Sequence, residues 1–317
     1  MKSYERLIIL SLIPFLSGCA RKGKDPLSES ISGDVSESES ISGYVSESEI
    51  ISETAPTYRG YKLYWEDNFE GEELNEDYWS YMLGDGSPNV GWGNHEKQFY
   101  TKDNVSIRNN QLVITARKEE MRGYHFTSTR LRTALKVHFK YGRVEARISL
   151  PEVQGMWPAF WMLPETSYKG QGWPFNGEID IMEARGRVID GYTGAVHYAG
   201  ASGHLYEVVS HKFNGEGRSA KPEEEWTFLH DFHLYSLEWD EDELRWFCDN
   251  EEIGKVSKLA WKRTLDDGSE YSPFDEEFHL LLNLVVGGNF DDGKMPPNDF
   301  EEAEMIVDSV RIYTYDD

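Results

Sequence analysis

An all-β fold of packed antiparallel sheets is predicted by three features of the sequence. Apolar and polar side chains alternate every second residue from about Tyr58 onward, Gly, Asn and Asp clusters punctuate those runs, and no long stretch shows 3.6-residue periodicity. Of 317 residues, 39% are hydrophobic and 14% aromatic, which suffices for one large domain with a substantial core. Many short strands within residues 58–317 imply two sheets packed face to face or a barrel.

The chain is predicted to begin with an address. Lys2 and Arg6 precede an apolar run, Leu7 to Leu16, that is too short to span a bilayer and suits the hydrophobic region of a signal peptide. Leu16-Ser17-Gly18-Cys19 resembles the bacterial lipobox, which implies that residues 1–18 are removed and that Cys19 is lipidated as the first mature residue. Ala20 in the next position implies an outer-membrane destination in the cell envelope, with the leaflet left open. Residues 19–57 read as a flexible, self-repelling tether: SISGDVSESE at Ser30–Glu39 is repeated as SISGYVSESE at Ser40–Glu49, and a unit this polar cannot bury a core. With Cys19 acylated, Cys248 is expected to be a buried, inert thiol on a strand.

Within the domain, Val144, Ala146, Ile148 and Leu150 alternate with Arg143, Glu145, Arg147 and Ser149, as in a strand with one buried face. Leu244, Trp246 and Cys248 lead into Asp249-Asn250, a hairpin turn before Ile253. Only Ser257–Thr264 suggests a short helix. Near the C-terminus Ile306, Val310 and Ile312 are expected on one face, with Ser309, Arg311 and Tyr313 on the other.

Charge narrows the partners. Lys and Arg number 32 against 57 Asp and Glu, a net charge of -25, which repels nucleic acid and an anionic membrane surface and favours a neutral partner. Ten Trp and eighteen Tyr supply flat apolar faces with a polar tip, which suit sugar rings. The histidines have no zinc-like spacing, and no Gly-rich phosphate loop is present.

The chemistry concentrates in Gly177-Glu178-Ile179-Asp180-Ile181-Met182-Glu183. On a regular strand Glu178 and Asp180 share a face and Glu183 points away; one extra residue inserted by a β-bulge at Ile181-Met182 returns Glu183 to the same face. Three crowded carboxylates raise one another's pKa. That suits retaining glycoside hydrolysis, which needs an ionised nucleophile and a protonated acid about 5–5.5 Å apart. In that chemistry Glu178 attacks the anomeric carbon, Glu183 serves as acid and then base, and Asp180 tunes both. The alternative is a set of solvated acids on an outward strand face.

The segment resembles the active-site signature of glycoside hydrolase family 16 in its longer Glu-x-Asp-x-x-Glu form. Further stretches resemble the laminarinase-like branch of that family: Gly91–Thr101, Ser128–Thr133, Phe139–Pro151, Gly155–Pro164, Gly172–Gly186 and Val307–Tyr313. The resemblance implies a β-jelly roll, a sandwich of two curved antiparallel sheets with an open concave substrate cleft. It implies Glu178 as nucleophile, Asp180 as its helper and Glu183 as acid/base, with no cofactor for catalysis. Asn94, Arg130, Trp157, Trp173, His197 and Asn283 then fall at substrate-binding or acid-supporting positions, while Trp161 is assigned to the core. Asp308 matches a residue that holds a structural Ca²⁺ in many relatives, although Asp67-Asn68-Phe69 departs from their usual Asp-Glu-Phe.

The activity so implied is an endo-acting β-1,3-glucanase or mixed-linkage β-1,3/1,4-glucanase, acting as a monomer on β-glucan and touching the membrane only through Cys19. Two other readings remain: a galactan hydrolase of agarase or porphyranase type, and a non-catalytic glycan-binding surface lipoprotein. The segments Glu119–His125 and Gly200–Glu225 fit no common pattern.

Overall fold

The computed structural model describes residues 55–167, 169–188, 191–200, 203–212 and 229–316. Cys19, the 1–18 address, the repeat-bearing tether up to residue 54 and most of the Gly200–Glu225 segment lie outside them.

Two sheets form a β-jelly roll. The outer sheet has ten strands, in the order Glu251–Ser257, Glu243–Cys248, Phe232–Trp239, Gly142–Ser149, Glu302–Tyr315, Gln111–Arg117, Phe126–Ser128, Gln98–Tyr100. Two more strands join it at Glu302–Tyr315 and at Gln111–Arg117. The cleft sheet runs Gly203–Lys212, Gly191–Gly200, Glu178–Glu183, Met156–Pro164, Phe278–Val286, Arg130–Arg132, Ser80–Tyr81, with His138–Phe139 beside Phe278–Val286. The pairings are antiparallel except that of Gln98–Tyr100 with Phe126–Ser128. No α-helix occurs among the described residues, and the expected helix over Ser257–Thr264 is one 3₁₀ turn, Lys258–Ala260, followed by a short strand.

The alternation read in the sequence positions the core. Val144, Ala146, Ile148 and Leu150 face inward from the outer sheet and meet Phe160, Met162, Ile179 and Leu282 of the cleft sheet. The Asp249-Asn250 turn has positive φ at both residues, 49° and 65°, which Asp and Asn tolerate and which matches the twist of a tight hairpin. Cys248 is buried in the core, as expected for an inert strand residue.

Two expectations change. Ile306 does not share the core face with Val310 and Ile312: the ladder to Gly142–Ser149 shifts register between Val307 and Ser309, so Met305 and Val307 face inward before the shift, Val310 and Ile312 after it. Part of the polar side of Gly142–Ser149 is also not solvated, although Arg147 remains open. Arg143 and Glu145 are 2% and 1% exposed, closed over by Tyr58 and Tyr313, whose hydroxyls donate to the Glu145 carboxylate at 2.7 and 3.3 Å.

Candidate active site

The Glu178–Glu183 strand carries a β-bulge that controls which side chains reach the cleft. Against Gly191–Gly200 the register jumps between Asp180 and Glu183, and against Met156–Pro164 it runs from Asp180 opposite Trp161 to Met182 opposite Phe160. Ile181 and Met182 both enter the core, so Glu183 emerges on the side of Glu178 and Asp180. Two glycines permit this geometry. Gly177, at φ +87°, turns the chain into the strand beside Phe274, and a Cβ on Gly194 would stand 2.5 Å from the Trp246 indole. That indole donates its Nε1–H to the backbone carbonyl of Asp180 at 2.8 Å and pins the strand from beneath.

The three acids line an open cleft of about 350 Å³. That volume lies at the lower end of the roughly 300–1,000 Å³ usual for small-molecule pockets, and the cleft is open along its length, as a groove for a chain of rings must be. Burial pushes the Glu178, Asp180 and Glu183 carboxyls each up to about 8, and repulsion from Asp180 adds to both glutamates. Attraction to His197 works against this rise for Glu178 and Glu183. Protons therefore leave the trio stepwise, and ionised and protonated carboxyls coexist in one site.

The supporting residues are set by strand register. His197 lies opposite Glu178, and its Nε2 is 3.1 Å from Asp180 Oδ2 and 3.8 Å from Glu178 Oε1. Trp157 donates its Nε1–H to Glu183 Oε1 at 3.0 Å, while Phe290 stacks on its ring at 5.0 Å. Only 8% exposed, Trp157 acts as a hydrogen-bond donor to the acid and presents no open stacking face. Trp173 is open, 54% exposed at the rim.

The floor beside the acids is a buried polar network. Arg130 lies between the indoles of Trp92 and Trp161, at 4.5 and 4.7 Å from the ring centres. Asn283, opposite Arg130 on the neighbouring strand, accepts from Trp161 Nε1 at 2.7 Å and donates to Tyr100 Oη at 3.4 Å. Glu96 accepts from Gln98 and Tyr100 at 2.6 and 3.0 Å and from Asn94 at 3.4 Å. Burial raises the Glu96 carboxyl and Arg130 pulls it back.

Asn94, Arg130, Trp157, Trp173 and Asn283 thus line one cleft with the acids, and His197 touches them from the next strand. Trp161 lines the cleft as well, contrary to its assignment to the core, because it shares the outward pleat of Trp157. Trp92 and Glu96 were missed. The same-face spacing of Asn94, Glu96 and Gln98 was the available signal, hidden because Glu96 is one acid among many.

Asp308 is remote from the cleft. Its Oδ1 accepts from Gln111 at 3.0 Å and its Oδ2 pairs with Arg147 at 3.2 Å, while Asp67 accepts from Phe69 N–H and Trp79 Nε1–H, both at 2.8 Å. Carboxylates already engaged by a guanidinium and by N–H donors do not fit a calcium ion as arranged.

A fold and site of this kind define a glycoside hydrolase. The family model for glycosyl hydrolases family 16 matches residues 93–294, and the chain belongs to that family. It is 38% identical to glucan endo-1,3-beta-glucosidase A1 of Niallia circulans over 82% of this chain and 39% of that protein. It is 36% identical to the beta-glucanase of Rhodothermus marinus over 83% of this chain and 88% of that one. Among solved structures, the endo-beta-1,3-glucanase of Pyrococcus furiosus is 36% identical with a TM-score of 0.69, covering 81% of this chain and 95% of that one.

Proposed function

We propose that the protein is an endo-acting β-glucanase that hydrolyses β-1,3-glucan or mixed-linkage β-1,3/1,4-glucan with retention of configuration, held at the bacterial outer membrane by a lipid on Cys19. The observation that carries the reading is the bulge that gathers three proton-sharing carboxyls along an open, aromatic-lined cleft. The names of the similar proteins support a glucan as the polymer.

In this mechanism a glucan chain lies along the cleft sheet with a ring against Trp173. The Glu178 carboxylate attacks the anomeric carbon while the Glu183 carboxyl protonates the departing glycosidic oxygen. The second half of the chain leaves and a covalent glycosyl-enzyme remains on Glu178. Glu183, now ionised, takes a proton from water, whose oxygen attacks the same carbon and releases Glu178. Asp180 shares protons with both glutamates, and the Trp157 N–H stabilises the ionised Glu183 of the second step.

Incubation with laminarin, barley mixed-linkage glucan, agarose and porphyran, followed by sizing of the products, tests the substrate. Internal cleavage of one or both glucans is expected. Cleavage of agarose or porphyran alone would transfer the assignment to galactans, and no cleavage of any would favour a binding protein. For the anchor, Cys19→Ser is expected to release the protein from the membrane fraction, and unchanged fractionation would overturn lipidation.

A further inference from the structure

The edge of the cleft sheet is a hairpin of Gly191–Gly200 and Gly203–Lys212, in which His197 lies opposite Tyr206 and Ala199 opposite His204. Opposed residues of an antiparallel pair point to one side, as do residues two apart, so His204 and Tyr206 share the pleat face of His197 and the acids. The Nε2 of His204 stands 3.0 Å from the Nδ1 of His197. Nε2 of the same His197 ring is the nitrogen that faces Asp180 and Glu178. A chain of contacts therefore runs from an exposed histidine through His197 to the acid cluster.

The two nitrogens of an imidazole are not independent: in the neutral ring a nitrogen that accepts a hydrogen bond leaves the proton on the other. A neutral His197 protonated on Nδ1 would present an Nε2 lone pair to carboxylate oxygens, which repel it. We propose that His204 is a positioning residue for the acid cluster: by donating its Nε2–H to Nδ1 of His197, it holds His197 in the tautomer that carries its proton on Nε2, the nitrogen on the side of Asp180 and Glu178, and not a lone pair there. The titratable or polar side chains facing this pair are Glu178 and Asp180 from the acid strand, Trp173 from the rim at 4.8 Å from the His204 ring, and Tyr206 at 6.0 Å. Arg263 binds the neighbouring Ala199 carbonyl. Desolvation holds His204 below the usual histidine range, which favours the neutral ring.

The inference rests on the hydrolase reading, and the experiment separates the two. His204→Phe keeps an aromatic ring and loses the donor, whereas His204→Gln keeps a donor and loses the ring; both changes are at an exposed residue. His204→Phe is expected to lower kcat about 10-fold, one hydrogen bond's worth, with little change in KM, and His204→Gln to recover most of the loss. The ¹⁵N imidazole spectrum is expected to show His197 protonated at Nε2 in the wild type and in His204→Gln, with an Nδ1-protonated fraction in His204→Phe. An unchanged kcat in His204→Phe, equal losses in both variants, a loss carried by KM, or an unchanged His197 tautomer would overturn the proposal. If the wild type cleaves none of the four polysaccharides, the hydrolase reading fails, and the ¹⁵N spectra still decide the role of His204.

Discussion

Two groups of buried carboxylates sit on the two sheets, and their surroundings treat them in opposite ways. On the outer sheet Glu145 is 1% exposed, with Arg143 Nε donating at 3.0 Å and the hydroxyls of Tyr58 and Tyr313 at 2.7 and 3.3 Å. Arg143 itself also bonds Ser236 and Asn250, both at 2.8 Å. Every charge there has a partner, as a structural ion pair requires. On the cleft sheet three carboxyls share one imidazole and one indole N–H, and burial lifts each to about 8. Burial with enough partners holds a fold together, and burial with too few leaves groups that exchange protons near neutral pH.

Variants in the two groups are expected to diverge. The largest effect is on Glu178: its replacement by Gln is expected to lower turnover about 10⁴-fold or more while oligosaccharide binding, measured by calorimetry, persists. Wild-type turnover in that variant would remove Glu178 as nucleophile. Glu145→Ala is expected to leave activity chemistry intact but to cost about 1–3 kcal/mol in denaturant unfolding, since Arg143 keeps Glu238 at 3.2 Å but loses its closer carboxylate, and the Tyr58 and Tyr313 hydroxyls lose their acceptor. A loss under 1 kcal/mol would mean that the outer network relaxes around the gap.

Smaller effects sharpen the contrast. Trp157→Phe deletes one donor to Glu183 and is expected to reduce kcat about 10-fold, with the fold unchanged by circular dichroism. Asp180→Asn addresses the pH dependence of stability. Because the native carboxyl binds its proton up to about 8 and an unfolded one releases it near 4, the native state holds more protons in between, and wild-type stability falls as pH rises through that window. Asp180→Asn is therefore expected to match the wild type near pH 4 and to melt about 2–4 °C higher at pH 8. A difference that shrinks with rising pH would contradict the assigned repulsion. Activity is expected to decline as pH rises past about 8, where the trio as a whole loses the proton that Glu183 must donate.

Much of this division was legible in the sequence. The five-residue spacing of Glu178 and Glu183 demands a bulge if both acids face the cleft, and the register jump occurs there. The second shift, at Val307–Ser309, had no such marker, because apolar residues on both sides of a strand hide a change of parity, and Ile306 was misplaced. The closure over Arg143 and Glu145 was illegible because it depends on Tyr58 and Tyr313, far away in the chain. Trp157 and Trp161 share an outward pleat, and sequence spacing cannot tell which indole is open: Phe290 covers Trp157, and Arg130 lies against Trp161. His204 left no signal, since its role comes from a hairpin register and not from a motif.

The central claim is that the carboxyls gathered by the bulge work by double displacement through Glu178. Proton NMR of the first products from a susceptible glucan tests it most directly. The new reducing end is expected to appear in the β configuration and to mutarotate later. An α product at the earliest time points would show single displacement and contradict the account.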